Sequence, residues 1–211
     1  MSGCGCEITI NDKSQKRVLY WLLAINAAMF IIELSVGLLA DSTALIADSM
    51  DMLADAVVYA IGIYAVGKSI IHKANAAKVS GYFQLMLGVI ILIDIIRRFI
   101  MGSEPVSYLM MGMGAVALVA NVICLLIIRK HKDGDVNMRA SWIFSANDVI
   151  ANMGVIAAGV FVLWLDSRLP DLIIGMIVSI VVVRGAWMIL KDATKELNEN
   201  QNAKTLSGGQ S

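Results

Sequence analysis

Six apolar runs, at about 18–40, 43–67, 79–101, 106–128, 138–165 and 170–190, set the limits on what this chain can fold into. Each is close to the ~20 residues that a helix needs to cross the hydrocarbon of a bilayer. No water is available there, so every backbone N–H and C=O must be satisfied internally, and runs of this length read as helices. Composition agrees. Hydrophobic residues make up 58% of the chain and charged residues 16%, which leaves a soluble chain of this size too little polar surface. The expected fold is an all-α integral membrane protein with six transmembrane helices. Residues 1–17 form a polar leader, 18–190 the membrane domain, and 191–211 a polar tail that reads as disordered. Met1–Asn11 lacks the basic region and apolar core of a secretory signal.

Basic residues orient the helices. Lys13, Lys16 and Arg17 precede the first run, and Lys68, Lys73 and Lys78 lie between the second and third. Arg129, Lys130, Lys132 and Arg139 lie between the fourth and fifth, and Lys191, Lys195 and Lys204 follow the sixth. The alternate breaks hold Asp41, then Arg97 and Arg98 near Glu104, then Arg168 between Asp166 and Asp171. The positive-inside rule therefore predicts both termini in the cytoplasm. Arg97 and Arg98 run against that sorting and are expected at the end of the third span, snorkelling outward. Net charge is zero, so no nucleic-acid partner is expected.

The second run carries the chemistry: Ala47-Asp48-Ser49-Met50-Asp51-Met52-Leu53-Ala54-Asp55-Ala56. A carboxylate at the centre of a membrane helix costs about 2.5–3.5 kcal/mol on the insertion scale. Asp48, Asp51 and Asp55 are spaced three and four apart, so all three project from one helix face. The fifth run reads Trp142-Ile143-Phe144-Ser145-Ala146-Asn147-Asp148-Val149-Ile150-Ala151-Asn152, with Ser145, Asp148 and Asn152 on one face at the same spacings. Bringing the two stripes together offers Asp51, Asp55 and Asp148, with amide oxygens from Asn147 or Asn152. That donor set suits a divalent cation, whose charge offsets the cost of the carboxylates. A proton-only pathway needs fewer acids, and a structural cluster of like charges gains nothing. Asp48, one turn nearer the extracellular end, is an outer ligand or relay.

Other polar residues in the spans have plainer roles. Asn26 and Glu33 share a face of the first span, as a proton or ion route or as bonds between helices. Asp94 is expected to pair with Arg97 and Arg98, Asn121 to bond between helices, and Arg184 to snorkel. Gly112, Gly114, Gly154 and Gly159 suit close helix packing. Cys4-Gly5-Cys6 is half a tetrahedral metal site at most, Cys124 lies alone in an apolar run, and His72 and His131 fall in predicted cytoplasmic loops.

At these residues the chain resembles the cation diffusion facilitator (cation efflux) family, over about 15–190. The similarity is most specific in Leu38–Ala56, in Arg139–Ile156, and at Glu104-Pro105-Val106. The resemblance implies a six-span, multi-pass transporter of a bacterial inner or cell membrane, exporting an ion such as zinc, manganese, iron, cobalt or cadmium. It implies exchange for protons by alternating access, a homodimer, and no resident cofactor. It places Asp51 and Asp55 at the two second-span ligand positions and Asp148 at the fifth-span aspartate. Zinc-type members carry histidine one turn before that aspartate, where this chain has Phe144, which shifts the cage toward harder oxygen ligands. Asn147, Asn152 or Asp48 is then the remaining ligand. The family commonly continues into a cytoplasmic metal-binding domain, and with only Lys191–Ser211 after the last span, a short form is expected.

The function expected is divalent metal efflux by metal/proton antiport through a site between the second and fifth spans. The alternative is a passive cation channel or proton pathway along the same acidic stripe. An intramembrane enzyme is disfavoured: the spans hold no histidine, and Cys124 has no evident base beside it.

Overall fold

The structure is a computed structural model, which describes residues 12–65, 68, 70–129 and 136–208. The helices are α1 (Asp12–Leu39), α2 (Thr43–Ala65), α3 (Ile70–Met101), α4 (Ser107–Ile128), α5 (Val136–Leu165) and α6 (Leu169–Gly208). No strand occurs among the described residues. All helices except α2 contain stretches long and apolar enough to cross a membrane. α2 has 23 residues, sufficient for a crossing at 1.5 Å per residue, but it carries Asp48, Asp51 and Asp55 within that length. The chain is an all-α, multi-pass membrane protein.

α2 tolerates its acids because of where it sits. It packs against every other helix, whereas α3 packs chiefly on α6, α1 on α2 and α4 on α5. One apolar cluster joins Met29, Leu45, Met52, Met110 and Val155. A second joins Leu22, Tyr59, Cys124 and Ile128, and a third joins Ala47, Ile91, Leu172 and Val182. Large apolar residues of the outer helices, such as Ile100, Val119 and Trp164, face outward, as lipid contact requires.

Two boundaries differ from the hydropathy reading. α3 starts at Ile70 rather than near 79, since His72–Lys78 is polar yet rich in alanine and lysine, which favour helix. His72 is accordingly exposed in the first turn of α3 and not in a loop. α6 continues to Gly208, where residues 191–211 were expected to be disordered. Its Lys, Glu, Leu, Ala and Gln content explains why helix persists beyond the apolar stretch. Cys4, Cys6, His131 and the side chain of Phe144 lie outside the described residues.

Short turns at 40–42 and 166–168 reverse the chain between α1 and α2 and between α5 and α6. Each turns on an aspartate in the left-handed region, Asp41 at φ 46° and Asp166 at φ 47°, a conformation that Asp adopts more readily than most residues. α2 is then clamped to α6. Buried Asp171 accepts bonds from Ser42 Oγ at 2.6 Å, Thr43 N at 2.7 Å and Ala44 N at 3.0 Å. The two backbone N–H groups are donors that a helix N-terminus leaves unpaired. Gly175 allows the approach, since a Cβ there would stand 3.1 Å from the Thr43 carbonyl carbon. Among the glycines expected at close contacts, Gly114 and Gly159 do meet neighbouring helices. Gly154 has only ordinary contacts, and Gly112 faces open space.

Candidate metal centre

A cavity of about 510 Å³ lies among α2, α3, α5 and α6. Asp51 and Asp55 line it from α2, Asn147 and Asp148 from α5, Gln84 from α3 and Arg184 from α6. Asp55 and Asp148 are buried and Asp51 is half-buried, while Asn147 is exposed. The cavity also reaches exposed Ile150, Ile177 and Met188, so it opens at the flank of the bundle.

Local sequence explains why these side chains point inward together. In α2, positions 51 and 55 are one turn apart on the face toward α5 and α6, while Met52 on another face enters the core with α1 and α4. In α5, Asp148 shares its face with Ser145 and Asn152, both fully buried. Asp55 and Asp148 are immediate electrostatic neighbours across the two helices, with Asp51 beside them. Carboxylates this close in a low-dielectric setting repel unless a cation or proton lies between them. Among the described residues, no three His, Cys, Asp or Glu are gathered tightly enough to ligate one ion as they stand. The acids line the cavity from two helices, α2 and α5.

Asp48 and Asn152 do not line the cavity. Asp48 is buried against Glu33 of α1, and one Asp48 oxygen and both Glu33 oxygens have no hydrogen-bond partner among the described residues. Asn152 donates from Nδ2 to the Asp148 backbone carbonyl at 2.7 Å, in the manner of a residue stitching its own helix. Asn26, which shares the Glu33 face, donates to the Leu22 carbonyl at 2.9 Å and approaches Cys124 Sγ at 3.9 Å. Asn121 is buried between helices.

Tyr59 and Gln84 were not singled out in the sequence. Tyr59 is buried and donates its hydroxyl to Asp55 Oδ2 at 3.0 Å, fixing the orientation of that carboxylate. Its spacing of four from Asp55 was the available signal. Gln84 stood alone as an amide in an apolar run, but only packing reveals what it faces.

On the face carrying the 40–42, 102–106 and 166–168 turns, ion pairs and hydrogen bonds join the loops. Arg98 bonds Asp94 at 2.6 Å and the Asp41 carbonyl at 2.9 Å, and it also pairs with the Asp41 carboxylate. The other Asp41 oxygen accepts from Glu104 N at 2.8 Å. Arg97 pairs with Asp94 at 2.6 Å, as its spacing predicts. Arg98 does not snorkel outward. It is 5% exposed, because its partners lie across the α1–α2 turn.

Sequence comparison relates the chain to known proteins. The cation efflux transmembrane domain matches residues 19–198. The zinc transporter ZitB of Escherichia coli (strain K12) is 27% identical over 201 residues, covering 89% of this chain and 64% of that protein. ZitB of Pectobacterium atrosepticum is 30% identical over 190 residues, covering 83% and 59%. A cadmium, cobalt and zinc/H(+)-K(+) antiporter of Bacillus subtilis (strain 168) is 26% identical over 207 residues, covering 90% and 65%. The chain thus spans less than two thirds of the length of these relatives. With the domain match extending through all six helices, the chain belongs to the cation efflux family.

Proposed function

We propose that this protein exports a divalent metal cation in exchange for protons, through the cavity lined by Asp51, Asp55 and Asp148. The observation that carries the reading is the placement of these acids, from two helices, around one cavity in the interior of a membrane bundle. Hydrocarbon makes bare carboxylates costly, so the site exchanges one form of positive charge for another. Carboxylates that have lost their protons take the ion from the cytoplasm. A rocking of helices then opens the site to the other side, where protons compete for the same oxygens and release it. The step is transport, with no bond of a substrate made or broken. Names of relatives that include zinc, cadmium, cobalt and H(+) support a metal-for-proton exchange.

Both termini lie in the cytoplasm on this reading, and the transporter works as a homodimer. Asn147, exposed at the rim, offers an amide to complete the ligands, with Asp48 and Asn152 in supporting places. The test is uptake by purified protein in liposomes across a panel of divalent ions, with and without a pH gradient. Metal flux that rises with an opposing proton gradient is the expected result. Flux that follows only the electrical potential would make the protein a channel.

A further inference from the structure

The third helix contributes a residue to the cavity that the metal reading has not used. Gln84 lines the same space as Asp51, Asp55 and Asp148. It is 5% exposed, and its Oε1 has no hydrogen-bond partner among the described residues. The other end of the amide lies against α6, where a Cβ on Gly185 would stand 3.1 Å from Nε2. Glycine at that position leaves the width in which the amide lies. A buried carbonyl oxygen without a partner is rare in native structures and calls for an explanation. Apolar side chains are favoured at this depth, so the lining of the cavity is where that explanation belongs.

We propose that Gln84 supplies its amide oxygen to the transported ion, as a neutral ligand from α3, and biases the site toward oxygen-preferring divalent cations. The inference rests on the metal-transport reading above. Amide oxygens are ordinary ligands of hard divalent cations, which take six or more oxygens. The aspartates supply charge. Gln84 adds coordination without adding negative charge that must be compensated when the ion leaves. Softer ions, which favour sulfur and imidazole, gain less from such a ligand. The ion is then held from three helices, α2, α3 and α5, and the third of these packs on α6.

Isothermal titration of the purified full chain with Mn²⁺ and with Cd²⁺ tests this, using wild type, Gln84→Leu and Gln84→Glu. Gln84→Leu should weaken Mn²⁺ binding about tenfold or more, the scale of loss on removing a group that tunes a metal site, and change Cd²⁺ binding much less. Gln84→Glu keeps the oxygen at equal reach and adds charge, so it should bind Mn²⁺ more tightly than wild type. Equal losses for both ions in Gln84→Leu would reduce Gln84 to a packing role. An unchanged Mn²⁺ affinity in Gln84→Glu would overturn the proposal even if the leucine variant fails to fold. Wild-type protein that binds neither ion would remove the transport reading together with this one. Wild-type binding that is unchanged in Gln84→Leu would remove this one alone.

Discussion

What stands across from each buried acid differs along the stripe. Spacings of three and four made one face of Asp48, Asp51 and Asp55 and another of Ser145, Asp148 and Asn152 legible in the sequence. Spacing does not say how far along that face the cavity extends. It reaches Asp51, Asp55 and Asp148, whereas Asp48 turns to Glu33 and Asn152 bonds its own helix. Contacts between helices far apart in sequence decide this, and no local period encodes them. Phe144 offers a test at this scale. It stands one turn before Asp148, so Phe144→His adds a nitrogen donor at the spacing at which two side chains share a face. With Asp51, Asp55 and Asp148 it makes four ligands, the number zinc prefers. Competition uptake in liposomes should show zinc favoured over manganese by about tenfold more than in wild type, an affinity difference of about 1.4 kcal/mol. An unchanged ratio in an active variant would mean that position 144 does not reach the ion.

Among elements, α2 carries three acids within its span and packs against every other helix, and the second property permits the first. All six helices could be read from apolar runs, because bilayer length leaves few alternatives. Their polar ends could not. The start of α3 at Ile70 and the extension of α6 to Gly208 lie where hydropathy falls but helix propensity stays high. The role of Asp171 was equally hidden. In sequence it is one charge near a turn, and in the fold it accepts three bonds at the N-terminus of α2. Hydrogen bonds to a charged group contribute about 1.5–3 kcal/mol each and do not simply add. Asp171→Ala should therefore destabilise the bundle by roughly 3 kcal/mol, seen as a lower thermal midpoint in detergent. Asp171→Asn, which keeps one acceptor oxygen, should lose less. Equal midpoints for wild type and Asp171→Ala would show that α2 is held by apolar packing alone.

For the whole molecule, one face of the bundle is bonded and the flank is open. Arg98, Asp41, Asp94 and Glu104 tie the loops of one face, while the cavity opens elsewhere, between α5 and α6. A cycle that exposes the acids first to one side and then to the other would have to exchange these conditions. The most direct measurement is simultaneous recording of metal and proton flux in liposomes containing wild type, Asp51→Ala, Asp55→Ala, Asp148→Ala or Asp48→Ala, each shown to be inserted. Wild type should show metal flux with opposite proton flux, and the variants at 51, 55 and 148 should lose both. Asp48→Ala, outside the cavity, should retain part of each. Wild-type metal flux after removal of Asp55 and of Asp148 would contradict the claim that these carboxylates carry the ion.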